Sequence, residues 1–141
     1  MKYQKAITFS YDDGIESDRK LVEILNRYGM KCTFNLNTGI QSRESHFEIE
    51  GKEIYRMDQE TIGDLYAGHE IAVHGLTHRA PVDMTEEEMD QEFLTDIDNI
   101  TRIYGQKPVG MAYAYGAYDQ AAVDYLQRHG IKYGRTVEAT H

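Results

Sequence analysis

What most constrains this chain is a regular switch of hydrophobic period. Short β-rich runs alternate with longer runs whose apolar residues recur every three or four positions. The first run, residues 5–11 (KAITFSY), reads as a strand and stops at the turn sequence Asp12-Asp13-Gly14. Residues 17–28 then place Leu21, Val22, Leu25 and Tyr28 on one helical face, closed by Gly29. Strands are expected again over 31–36 (KCTFNL), 70–73 (EIAV), 109–113 and 131–137 (IKYGRTV). Between the third and fourth, Thr85 and Glu88 form a capping box. Behind it Met89, Phe93, Ile97, Ile100 and Tyr104 share one face as far as Gly105. A helix over 119–129 follows, stopped by Gly130. Residues 37–57 interrupt the rhythm. Residues 47–55 alternate about Gly51 like a hairpin, and Asp58 can cap a short helix running to about Tyr66.

Strand–helix units joined by short turns specify parallel strands, because successive parallel strands need a crossover between them. A closed eight-stranded barrel takes roughly 250 residues, and this chain has 141. The expected architecture is therefore α/β with parallel strands, and an incomplete (β/α) barrel is one form of it. Periodicity alone does not separate it from an open doubly wound sheet. The expectation is one domain over 1–141, truncated at its C-terminus relative to such a barrel.

The formal net charge of −9 argues against nucleic acid or an anionic membrane as partner, since both require a basic face. It is compatible with a neutral or cationic substrate and with a divalent cation. The single cysteine, Cys32, sits in an apolar run, so it is expected in the core and no disulfide can form within the chain. The first ten residues hold no long apolar run, and nothing approaches the ~20 apolar residues of a membrane span. A cytoplasmic protein is the expectation. The sequence leaves the oligomeric state open.

Two motifs carry chemistry. Asp12-Asp13-Gly14 places adjacent carboxylates at the C-terminal end of the first strand, where a cation would relieve their repulsion. His74-x-x-x-His78 places two imidazoles at i and i+4, which meet on one face of a helical turn, directly after the third strand. Each alone is also an ordinary loop. Together they lie at the carboxyl ends of parallel strands, where α/β folds gather their chemistry. One carboxylate and two imidazoles leave a coordination position open for water, and a second carboxylate beside it is a ready general base. His74, His78 and one carboxylate of the Asp12-Asp13 pair are thus the expected metal ligands, and the other carboxylate the expected base. His69, before the third strand, should lie at the opposite end.

Ser10-Tyr11-Asp12-Asp13-Gly14, His74-Gly-Leu-Thr-His78 and Ala112-Tyr113-Ala114-Tyr115-Gly116 resemble the first three motifs of the polysaccharide deacetylases, the NodB-like carbohydrate esterases. The resemblance runs from about residue 5 to 136. It implies an irregular, here incomplete (β/α) barrel and metal-dependent hydrolysis of an N- or O-acetyl group on a carbohydrate, with Asp13, His74 and His78 holding the metal, Asp12 as the base and the backbone N–H of Tyr115 holding the oxyanion. The metal would be Zn2+, with Co2+, Ni2+ or Fe2+ also suited to mixed His/Asp ligation. Two positions depart from the family pattern. Ala112 stands where the third motif carries an arginine that pairs with the base, and Ala114 stands where it carries a proline. The histidine that a later motif supplies as general acid has no counterpart, and His141 is the one stand-in. Arg135, near the end of the fifth strand, is the expected replacement for the missing arginine, with Arg79 as the weaker candidate. Asn35 and Asn37, ending the second strand, and Tyr113 are the expected substrate contacts. The alternatives are a metal- or carbohydrate-binding module without turnover, and a related hydrolase of a non-sugar amide.

Overall fold

The computed structural model describes residues 5–139. Five parallel strands form one sheet in the order β1-β2-β5-β6-β7: β1 (Ser10–Asp12), β2 (Thr33–Leu36), β5 (Glu70–Val73), β6 (Gly110–Ala112) and β7 (Tyr133–Arg135). A separate antiparallel hairpin, β3 (Phe47–Ile49) and β4 (Lys52–Ile54), lies between β2 and a short helix α2 (Gln59–Ile62). Helix α1 (Asp18–Arg27) follows β1. The long helix after β5 is built from α3 (Glu86–Met89), a π-helical turn (Asp90–Leu94) and α4 (Thr95–Tyr104), and α5 (Gln120–Arg128) precedes β7. The sheet is curled into a half-barrel. Its first and last strands approach so closely that the Arg135 guanidinium reaches the Asp12 carboxylate.

Strand alternation sends two kinds of residue to the two faces. Phe34, Leu36, Ile71, Val73 and Met111 lie on the convex face and join Val22, Leu25, Phe93, Ile97, Ile100 and Leu126 of the helices in one core. Burying each large apolar side chain contributes roughly 1.5–3 kcal/mol. The concave face is polar or small. There Thr33 Oγ1 donates to Glu70 Oε2 at 2.5 Å, and Asn35 donates to Ser10 and Asp12. Gly110 lies against the Tyr133 ring.

The third strand has the bounds the sequence implied, and the other four are shorter. The first pairs only over Ser10–Asp12, because β2 offers partners only from Thr33 to Asn35 at that edge. The capping box at Thr85 and Glu88 forms on both sides. The hairpin turns through Glu50 and Gly51, both at positive φ, as a tight two-residue connection requires. The segment holding His74 and His78 differs in kind. It is a loop, not a helical turn, and His78 has a left-handed backbone with φ 64°.

Candidate metal centre

Asp12 ends β1, and the chain turns immediately through Asp13 (φ 76°) and Gly14 (φ 58°). A side chain at Gly14 would meet Gln41 Oε1 at 2.5 Å, while the Gly14 carbonyl accepts from Met57 N and Gln41 Nε2. Both the space and the backbone therefore call for glycine. The turn gives the two carboxylates different partners. Both oxygens of Asp12 lie 2.5 Å from Arg135 Nη2, and Asn35 Nδ2 donates to Asp12 Oδ1 at 2.9 Å. Ser10 Oγ accepts from Arg135 Nε at 3.1 Å and from Asn35 at 2.8 Å, tying the two supports together. Asp13 Oδ1 instead accepts from Arg56 Nη2 at 2.7 Å. Arg56 is buried, donates to the Ser45 carbonyl and stacks over Phe47. Sequence reasoning missed Arg56. It follows the hairpin in no motif, and its one signal is a lone charge between Tyr55 and Met57.

His74 is almost wholly buried, and its Nδ1 lies 2.7 Å from the Ala112 carbonyl. That bond places the proton on Nδ1 and leaves the Nε2 lone pair free, the arrangement that metal-ligating histidines use. Nε2 faces Asp12 Oδ2 at 3.9 Å. The His78 ring meets the His74 ring edge-on, 4.6 Å between centroids, and its Nε2 lies 3.7 Å from Asp13 Oδ1. Burial, then the neighbouring His74, hold the His78 pKa below its ordinary value. His78 thus favours the neutral form that binds metal. One ligand atom each from Asp13, His74 and His78 lies within 4.8 Å of the others. The donor set fits a divalent cation: one carboxylate, two neutral imidazoles and a second-layer carbonyl orienting one of them.

The other expected site residues divide. Tyr115 is 73% exposed, has a left-handed backbone (φ 59°), and sets its ring edge-on against His78 at 4.7 Å. Asn35 and Asn37 are buried and turned to the protein. Asn35 supports Asp12, and Asn37 Nδ2 clamps the His74 and Gly75 carbonyls at 2.8 and 2.7 Å. Tyr113 is on the convex side, stacked on Tyr118 with its hydroxyl over Gly134. The expected contacts from Asn35 and Tyr113 to substrate are thus replaced by contacts within the fold, because strand parity and packing use both side chains. Arg79 pairs with exposed Glu88 and not with Asp12. His141 lies outside the described residues. His69 sits at the far end of the sheet, accepting from Cys32 N and touching Asn26. A recess of about 900 Å³ is also at that far end, between Phe9, Met30, Lys31, His69 and Lys107. It holds none of the ligand cluster. The chemistry-bearing groups gather at the carboxyl ends of the strands.

Residues 2–134 match the family model described as polysaccharide deacetylase. The chain belongs to the polysaccharide deacetylase family. Over 71 residues, half of the chain, it is 28% identical to a peptidoglycan deacetylase of Helicobacter pylori, of which it spans 24%. Among solved structures, the Streptococcus pyogenes deacetylase PplD in complex with acetate superposes with a TM-score of 0.79 at 19% identity, covering 96% of this chain and 57% of that one. IcaB from Ammonifex degensii gives 0.78 at 19% identity, covering 96% and 61%. These likenesses share the fold, and this polysaccharide deacetylase chain spans only part of each relative. Its departure at Ala112 has a geometric reason. Ala112 pairs in register with Arg135 of the next strand, and both point into the concave face. A guanidinium from β7 occupies the level at which the family's arginine would leave β6.

Proposed function

We propose that this chain hydrolyses acetyl groups on an N- or O-acetylated carbohydrate, using a divalent metal held by Asp13, His74 and His78. The observation that carries the reading is the oriented His74, whose Nε2 joins His78, Asp13 and the Arg135-paired Asp12 in one cluster. Zinc suits the donor set, with cobalt, nickel or iron as substitutes. When bound, the metal supplies a Lewis acid that polarises the acetyl carbonyl and acidifies water.

The remaining work falls to this chain's residues. Asp12 accepts the proton of the attacking water, a general-base role set by its place 3.9 Å from His74 Nε2. Arg135 and Asn35 fix the carboxylate so that Oδ2 keeps facing His74 Nε2. The Tyr115 backbone N–H donates to the developing oxyanion, a role indifferent to side chain. The Tyr115 backbone is left-handed, and its ring lies edge-on against His78. An acidic surface, with a net charge of −9, favours neutral or amine-bearing glycans over anionic ones. The peptidoglycan deacetylase among its relatives supports a glycan substrate.

Metal analysis tests the reading first. The purified protein should carry about one equivalent of metal, lost in His74→Ala. With metal added, it should release acetate from acetylated chito-oligosaccharides. No metal in the wild type would overturn the site. Metal without acetate release, also in a longer chain, would make the domain a binding module. Release from small amides but not from glycans would make it a hydrolase of non-sugar amides.

A further inference from the structure

Resting on that reading of the metal site, we infer that Glu92 is a positioning residue that shapes the loop carrying the ligand His78. Glu92 lies inside the π-helical turn Asp90–Leu94 of the long helix, and it is 4% exposed. Its groups bind the loop that carries the two histidines at four points. The Glu92 carbonyl accepts from Leu76 N at 2.8 Å. Oε1 accepts from Thr77 N at 2.9 Å and from Arg79 N at 3.1 Å. Oε2 accepts from Thr77 Oγ1 at 2.7 Å. The residues on both sides of His78 are therefore tied to one carboxylate oxygen.

This grip accounts for the backbone of the loop. Bringing the N–H groups of Thr77 and Arg79 to one acceptor folds the chain between them, and His78 takes the left-handed φ of 64°. A non-glycine residue there costs free energy and persists only where the surroundings enforce it. Gly75 shows how close the carboxylate lies: a side chain there would meet Glu92 Oε1 at 2.7 Å. The π-turn supplies the donor-facing geometry. Thr95 N bonds to the Asp90 carbonyl five residues back, and the widened turn presents both the Glu92 carbonyl and its carboxylate to the loop. Such turns recur at functional sites. The carboxylate touches neither His74 nor His78 directly, so it acts through the backbone.

The roles are separable by variant. Glu92→Gln keeps an oxygen for both N–H groups and an amide to donate to Thr77 Oγ1, so it preserves the grip without charge. Glu92→Ala removes it. Thr77→Val removes one bond and leaves the carboxylate. Zinc affinity by competition with a chromophoric chelator, and the visible absorption of the Co2+-loaded protein, report the site without turnover. The expected result is Glu92→Ala weaker than wild type by about 10- to 100-fold, the usual effect of a residue supporting a metal ligand. Its Co2+ spectrum should be altered. Glu92→Gln should stay within about threefold of wild type, and Thr77→Val should fall between them. Folded Glu92→Ala with wild-type affinity and spectrum would overturn the inference, as would Glu92→Gln as weak as Glu92→Ala. If Glu92→Ala does not fold, wild-type values for Thr77→Val overturn it, and intermediate weakening supports it. A wild type that binds no metal would defeat the metal site itself and is a different outcome.

Discussion

Asp12 and Asp13 are adjacent in sequence and identical in chemistry, yet their neighbours give them different tasks. Asp12 faces Arg135, Asn35 and His74, while Asp13 faces Arg56 and His78. The Arg135 pair is half-exposed, so its value lies in orientation more than in stability. Arg135→Met should therefore leave the melting temperature nearly unchanged. Its kcat for deacetylation should fall about tenfold or more, within the about 10²- to 10⁴-fold that a general base contributes as a whole. KM should change little. Steady-state kinetics beside a thermal melt checks both halves, and unchanged kcat would remove Arg135 from the machinery.

At the scale of elements, the register of β6 against β7 decides which strand supplies the arginine. Ala112 and Arg135 are paired partners on one face. Ala112→Arg alone should crowd two guanidiniums at one level and lower stability by about 1–3 kcal/mol. Ala112→Arg combined with Arg135→Ala should recover much of that loss and restore a cation beside Asp12. Unfolding midpoints and acetate release of the single and double variants test this. A double variant no better than Ala112→Arg would show that the two positions do not share a space. The same scale explains the histidine loop. The i, i+4 spacing was legible as a chelating pair, but the loop shape depends on Glu92, 14 residues beyond His78, through a π-turn that no local pattern announces.

At the scale of the molecule, the half-barrel has an apolar outer face and a polar inner one, and its helices bury acids behind the site. Asp96 on α4 is fully buried, accepting from Thr38 N and Thr38 Oγ1. Burial pushes its carboxyl up to about 7. The folded protein thus holds a proton that the unfolded chain releases near pH 4. The stabilisation is complete below that ordinary value and is lost as pH rises through about 7. Asp96→Asn retains an acceptor for Thr38 and carries no charge. Between pH 5 and pH 8 the wild type should lose at least about 1 kcal/mol more than Asp96→Asn, roughly one unit of pKa shift. Urea unfolding at the two pH values measures it. Equal slopes would show that Asp96 stays ionised.

The sequence by itself determined the alternation of strands and helices, the parallel sheet and the nomination of Asp12, Asp13, His74 and His78. All of these rest on short-range patterns: hydrophobic period, turn residues, and ligand spacing at strand ends. Arg135 was also within reach, since the missing arginine at Ala112 asked for a replacement from an adjacent strand. Arg56 and Glu92 were not, nor were the inward-facing duties of Asn35 and Asn37. Each depends on which residue a folded chain brings to a given point. Arg56 reaches Asp13 across 43 positions of sequence, and Arg135 reaches Asp12 across 123. Only the curl of the sheet and the seating of the hairpin and long helix create those contacts. Periodicity records which face a residue shows, but not whose side chain meets it there.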